Sequence, residues 1–195
     1  MAVSLPVSRI PAHATCAYAG EIFAVWTWPQ AMYDGTTKTF EMLKRCPTVQ
    51  VLALNEAGEV VYAQQEQPHV ATPYLSLCGG RMDAGEEPLV AAKRELLEET
   101  GMVSDVWELV QVDVGTGKME WFIYTYIARN CRKVAEQMLD GGEKITVKTA
   151  PVDTFLREIL TDKTFWGGEL KSQLFSAWNE SKVLEWTQLL RGENQ

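Results

Sequence analysis

The sequence predicts an α/β protein, a mixed β-sheet sandwiched between helices (α/β/α), with an N-terminal β-hairpin extension. Three observations point there. Strand-like runs lie both before and after one central helical segment. Two further stretches with helical periodicity close the chain. And two aromatic-rich runs near the N-terminus flank a polar Asp34-Gly35 turn.

In order along the chain, Ile22–Trp28 and Thr36–Leu43 read as the hairpin. It carries Phe23, Trp26, Trp28, Tyr33 and Phe40, yet is too short to bury them alone, so it must pack on the rest of the chain or on another copy. "TVQVLALNEAGEVVYAQQEQ" follows as an apolar strand, a turn at Glu56-Ala57-Gly58 and a second strand to about Gln65. A helix is expected from about Glu87 to Thr100: Pro88 suits a first turn, Glu86 and Glu87 complement the positive end, and Gly101 is a natural terminator. "VWELVQVDV" and "MEWFIYTYIAR" are strand-like and joined by Gly115-Thr116-Gly117, and "EKITVKT" is a shorter strand. "VDTFLREIL", with Asp153 or Thr154 as N-cap, and "GELKSQLFSAWNESKVLEWTQLL" have helical periodicity.

Composition limits the functions available. The 195 residues suffice for one substantial core, and 46% hydrophobic with 23% charged residues is ordinary for a globular protein. A net charge of -8 without a basic tract argues against a nucleic-acid polymer as partner, but not against a phosphorylated ligand bridged by a divalent metal. Cys16, Cys46, Cys78 and Cys131 lie far apart without C-x-x-C spacing, which fits reduced thiols better than a disulfide framework or zinc ribbon. The start lacks the basic and apolar regions of a signal peptide, and no apolar run is long enough to span a bilayer. The expected setting is the cytoplasm, away from membranes.

The chemistry is concentrated in "GGRMDAGEEPLVAAKRELLEETGM", Gly79 to Met102. At about 100° per residue, Glu95, Glu98 and Glu99 share an arc of about 100°, beside a stripe of Leu89, Ala92, Leu96 and Leu97. A solvated face is the common meaning of paired glutamates. Here, however, acidic groups occupy the last turn, where the helix end is already negative, and solubility alone would not select that placement. The Gly79-Gly80 and Asp83-Ala84-Gly85 stretches form a tight loop able to approach the same face. Three carboxylates and a backbone carbonyl are hard oxygen donors suited to Mg²⁺, with Mn²⁺ as a substitute ion.

These residues resemble the Nudix box, G-x5-E-x7-R-E-U-x-E-E-x-G-U with U aliphatic. Gly80, Glu86, Arg94, Glu95, Leu96, Glu98, Glu99, Gly101 and Met102 match without departure. The resemblance implies hydrolysis of a nucleoside diphosphate linked to another moiety, by water attacking a metal-activated phosphorus. It implies Glu95 and Glu99 as principal metal ligands, with Glu98 and the Gly79 carbonyl as further ones. Arg94 would hold the glutamates and Glu86 would fix Arg94, while Gly80 and Gly101 support the loop and helix end.

The hairpin and the stretch after the box are similar to those of ADP-ribose and nucleoside-diphosphate-sugar pyrophosphatases. That likeness implies a homodimer with an exchanged hairpin, residues 1–46 as a dimerisation and base-binding unit, and residues 47–195 as the hydrolase domain. Trp26, Trp28 and Phe40 would stack on the base or seal the dimer, and Arg45 would contact phosphate or base. A loop glutamate would position the attacking water, with Glu143 the match and Glu136 in reserve. Two departures stand out. Gln67 in "QEQP" replaces the arginine of Q-x-R-P, which removes a bidentate phosphate clamp, and "LSLCGG", with Ser76 and Cys78, stands where an acidic residue and a proline or small residue are usual ahead of the box. His69 and His13 read as surface or loop residues. The expected reaction splits ADP-ribose or another nucleoside-diphosphate sugar into a nucleoside monophosphate and a sugar phosphate. A dinucleotide, FAD, a damaged nucleoside triphosphate, or a non-catalytic nucleotide sensor are the alternatives.

Overall fold

Alternation along the strand Thr48–Asn55 (β4) sends successive side chains to opposite faces, and each face is buried by a different helix. Val49, Val51 and Ala53 join Ala91, Ala92 and Leu96 of the helix Pro88–Thr100 (α1) in one apolar cluster. Leu52 and Leu54 join Val152, Phe155 and Leu156 of the helix Val152–Thr161 (α2) in the other. A strand apolar on both faces belongs at the centre of a sandwich. The computed structural model describes residues 6–167, 170–172 and 188–192. Most of "GELKSQLFSAWNESKVLEWTQLL" lies outside the described residues.

Around β4 runs a mixed sheet. Glu59–Glu66 (β5) pairs antiparallel to β4 across the expected Glu56-Ala57-Gly58 turn, and Ile123–Lys133 (β10) pairs parallel to β4 on its other side. Lys144–Pro151 (β11) lies beyond β5, and Met102–Val103 (β7) and Val106–Asp113 (β8) both pair with β10. The short strand Tyr74–Ser76 (β6) adds to β5 and was not anticipated from sequence, three residues being too few to show alternation.

The N-terminal hairpin is present as Phe23–Ala31 (β2) and Thr37–Arg45 (β3). It belongs to a separate sheet of order β1-β2-β3-β9, where β1 is Thr15–Ala19 and β9 is Met119–Glu120. Two sequence expectations are corrected. "MEWFIYTYIAR" is not one strand: Met119–Glu120 pairs with β3, and the chain resumes at Ile123 in the main sheet. The N-cap of α2 is Pro151, with Asp153 inside the first turn, because β11 runs directly into the helix. The N-terminal segment is clamped to the β9 region. Ser8 Oγ and the Arg9 N–H donate to the buried Glu120, and the Arg9 guanidinium donates to the carbonyls of Val114, Gly117 and Met119.

All four thiols are free. Burial pushes the buried Cys78 well above the ordinary thiol range and the buried Cys131 up to about 11. Because the thiolate is the nucleophile, alkylation of the folded protein at about pH 8 should mark Cys16, which is exposed, and spare Cys78 and Cys131 until it is unfolded. Peptide mass spectrometry reads the pattern; native labelling of Cys78 would contradict the buried placement.

Candidate active site

Helix α1 starts on Pro88 with Glu87 as N-cap and ends on Gly101, whose φ of 70° is left-handed and whose N–H donates to the Leu97 carbonyl. Glu87 makes no side-chain cap, and Glu86 turns back to accept from the Asp83 N–H. A Cβ on Gly101 would overlap the Ala135 carbonyl oxygen, so both conformation and space require glycine there. The helix-end carbonyls are taken up by the following loop. Val134 and Ala135 N–H donate to Gly101, Met138 N–H donates to Glu98, and the Gln137 side-chain amide donates to the Glu99 carbonyl.

The acidic stripe lies closer to the core than a solvated face would. Glu95 is 9% and Glu99 only 3% exposed, while the Glu98 side chain is 36% exposed. Opposite them runs the Gly79-Gly80 loop, pinned to β4 by Val49 N–H donating to the Gly80 carbonyl and Val51 N–H to that of Cys78. This ladder skips the Gly79 carbonyl. The Gly79 N–H donates to Glu99 Oε2 at 2.8 Å. Gly79 has φ of 139°, and a Cβ there would overlap the Val49 carbonyl. A Cβ on Gly80 would sit 2.6 Å from a Glu95 carboxylate oxygen. Glycines thus let backbone and carboxylates meet at close range.

Arg94 ties the carboxylates together. Its Nε and Nη2 reach both oxygens of Glu86 at 3.0 and 2.9 Å, and its Nη1 donates to Glu95 at 2.9 Å and to Glu98 at 3.0 Å. Nη2 also donates to the Arg81 carbonyl. The bidentate pair holds the Glu86 carboxyl below its ordinary range and raises the guanidinium further. Burial pushes Glu95 up to about 7, against the pull of Arg94, and pushes Glu99 well above the carboxylate range despite its bond to Gly79. Arg94 thus engages Glu86, Glu95 and Glu98, Glu99 accepts from the neutral Gly79 amide, and burial opposes the ionisation of Glu95 and Glu99 unless further positive charge is supplied.

A dication would supply that charge. The donors on this face are all oxygens, the set a hard divalent ion takes. Among the described residues, no three His, Cys, Asp or Glu side chains converge on a common point in this arrangement, since Arg94 engages Glu95 and Glu98 while Gly79 engages Glu99.

The stripe opens into a cleft of about 710 Å³. Of the residues singled out in the sequence, Gly79, Gly80, Arg94, Glu95, Glu98, Glu99, Glu143, Gln67 and Arg45 line it. Glu86 and Gly101 stand behind it. Glu143 sits in the loop ahead of β11, its carboxylate 3.3 Å from the Asp140 N–H, whereas Glu136 is exposed and pairs with Lys133 away from the cleft. His69 also lines the cleft, and His13 is exposed elsewhere.

Trp26, Trp28 and Phe40 do not line the cleft. Trp28 is buried, packs on Phe40 at 5.1 Å and donates from Nε1 to Gln30, while Lys44 lies 6.0 Å from the Trp26 ring. The aromatics that reach the cleft are others. Arg45 lies 3.9 Å over Trp121 and 5.8 Å from Phe23. Tyr74 and Trp166 stack at 4.3 Å. Trp121, Tyr74 and Trp166 are distant in sequence, and no local motif announces their convergence.

A model of the NUDIX domain matches residues 44–170, more than half of the chain. The chain belongs to the Nudix family. It is a Nudix pyrophosphohydrolase. It is 29% identical over 146 residues to the ADP-ribose pyrophosphatase of Mycobacterium tuberculosis (strain ATCC 25618 / H37Rv), covering 73% of this chain and 70% of that protein. It is 25% identical over 144 residues to the methanol dehydrogenase activator of Bacillus methanolicus, covering 73% and 78%. A crystal structure of an ADP compounds hydrolase superposes with a TM-score of 0.71 over 98% of this chain and 99% of that one, at 18% identity, which establishes the Nudix fold. No helix among the described residues is long and apolar enough to cross a membrane.

Proposed function

We propose that this Nudix protein is a Mg²⁺-dependent pyrophosphatase that splits ADP-ribose or another nucleoside-diphosphate sugar into a nucleoside monophosphate and a sugar phosphate. The observation that carries the reading is the cluster of buried carboxyl groups on α1, facing a cleft large enough for a nucleotide. The likeness to an ADP-ribose pyrophosphatase over most of both chains supports the choice of substrate.

Glu95, Glu98, Glu99 and the Gly79 carbonyl would hold the ion, and Mn²⁺ would serve in its place. When bound, the metal neutralises the diphosphate, polarises its P–O bonds and acidifies water. The chain's own residues do the rest. Arg94 fixes the rotamers of Glu95 and Glu98, and Glu86 fixes Arg94. Glu143, on a loop with Gly141 and Gly142 beside it, orients the attacking water and accepts its proton. Arg45, held over Trp121, and Gln67 meet the substrate away from α1, with the neutral Gln67 supplying hydrogen bonds where an arginine would supply charge.

The protein is further proposed to act as a cytoplasmic homodimer built through residues 1–46, with residues 47–195 as the hydrolase domain. Strand β1 is exposed along its length, and Tyr18, Phe23 and Leu43 are exposed on the same small sheet. Trp26, Trp28 and Phe40, which do not line the cleft of their own protomer, would then seal the dimer or reach the base in the partner's cleft through an exchanged hairpin. Leu43→Glu should yield a monomer by light scattering; an unchanged mass would remove this face from the interface.

The test of function is a panel of nucleoside diphosphate sugars, dinucleotides, FAD and oxidised nucleoside triphosphates, incubated with Mg²⁺ or with EDTA and analysed for products. AMP and ribose 5-phosphate from ADP-ribose, only with Mg²⁺, is the expected outcome. Binding without turnover across the panel would replace the enzyme with a nucleotide sensor.

A further inference from the structure

We propose that Trp166, lying on Tyr74, is the platform on which the nucleobase of the substrate stacks. The proposal deepens the pyrophosphatase reading and rests on it for the substrate class, a nucleoside diphosphate.

Trp166 lines the same cleft as the α1 carboxylates, yet the residue remains 52% exposed. One face of the indole is fixed against the Tyr74 ring, with centroids 4.3 Å apart and planes inclined by 25°. The backbone is also anchored, its N–H donating to the Leu75 carbonyl at 2.7 Å and bridging to Ser76 of β6. Tyr74 is itself immobilised. It is 4% exposed, its hydroxyl donates to Gln65 Oε1, and Gln65 Nε2 donates to Ser76 Oγ at 2.8 Å. A large indole held rigid from behind and open in front has lost its rotamer freedom before a ligand arrives.

The other aromatic candidates are less available. Trp28 and Phe40 pack on each other away from the cleft, and the Trp121 ring is covered by the Arg45 guanidinium. Rings stack on aromatic faces regardless of base identity, so the platform would accept any base and leave the choice among them to polar neighbours such as His69, whose ring lies 6.5 Å from Trp166. Phosphate has no such face, and a ribose offers only a small C–H face edged by hydroxyls. The larger planar face of the base therefore makes it the better match to the indole than the sugar phosphate.

The test compares wild-type protein with Trp166→Ala and Trp166→Phe. Affinities for AMP, GMP, UMP and ribose 5-phosphate are measured by calorimetry in the absence of turnover, and KM and kcat are measured for ADP-ribose. The expected result for W166A is about tenfold weaker binding of all three nucleotides and a similar rise in KM. Ribose 5-phosphate affinity and kcat should hold, and W166F should retain most of the nucleotide affinity. Unchanged AMP binding in W166A, or a parallel loss for ribose 5-phosphate, would overturn the proposal. Binding of AMP that depends on Trp166 in a protein hydrolysing nothing would support the platform while refuting the pyrophosphatase reading, so the two failures are separable.

Discussion

Replacing Glu99 with Gln should lower kcat by at least about 100-fold and, in the metal-free protein, raise the melting temperature. Both effects come from one fact: Glu99 is 3% exposed and its carboxyl group accepts from the neutral Gly79 N–H. A neutral amide is a poor ligand for a hard dication, and withdrawing several kcal/mol of charge stabilisation costs tenfold in rate per ~1.4 kcal/mol. In the absence of metal the sign reverses. Burial opposes the charge on the Glu99 carboxyl and pushes it well above the carboxylate range, whereas the amide oxygen can still accept from Gly79 and carries no charge. A gain of about 1–3 kcal/mol corresponds to roughly 2–4 °C per kcal/mol in a chain of this size. Saturating Mg²⁺ should then stabilise the wild type and do little for the variant. Calorimetric scans with EDTA and with Mg²⁺, beside steady-state rates, check both halves. A variant that keeps its rate removes Glu99 from the metal site.

Arg94→Ala should act in the opposite direction on stability while also lowering kcat by about 100-fold. The guanidinium holds Glu86 through two bonds and reaches Glu95 and Glu98 as well. Removing it leaves like charges facing one another with no cation between them. Arg94 is 29% exposed, so solvent screens part of the loss, and about 1–3 kcal/mol is expected. Arg94→Lys should not restore the rate, because a single ammonium cannot reproduce the fork that grips Glu86 and reaches two more carboxylates at once. Urea unfolding and kinetics of the two variants distinguish a positioning role from a charge effect. If Lys restores full activity, the geometry of the fork is not needed. The contrast between the variants is informative in itself: one deletes an unwelcome buried charge, the other deletes the cation that makes such charges tolerable.

How far the sequence foretold this arrangement depends on the range over which the signal acts. Helix α1 was legible to within a residue, because Pro88, the apolar spacing and Gly101 are local signals. The β4–β5 hairpin was legible for the same reason, its apolar runs meeting at a glycine turn. The break at Trp121-Phe122 was not, because "MEWFIYTYIAR" alternates smoothly through the point where the chain leaves one sheet for the other. The depth of Glu95 and Glu99 was only half legible. The helical wheel placed them beside the buried stripe, but their burial depends on how closely the Gly79-Gly80 loop packs over them. The aromatic surroundings of the cleft were the least accessible. Trp26, Trp28 and Phe40 drew attention by clustering in sequence, yet they pack among themselves and their neighbours. Tyr74, Trp121 and Trp166 come from three separated segments, and only the tertiary fold brings them to the cleft.

The central claim is that carboxyl groups buried on one helix, which burial disposes against ionising alone, take up a dication that holds a phosphoanhydride beside them. Paramagnetic resonance of Mn²⁺ added to the protein with a non-hydrolysable ADP-ribose analogue tests it without relying on turnover. The account predicts a tightly bound manganese signal in the wild type, released by excess Mg²⁺ and lost in Glu99→Gln. An identical bound signal in the variant, or no bound manganese in the wild type, would contradict it.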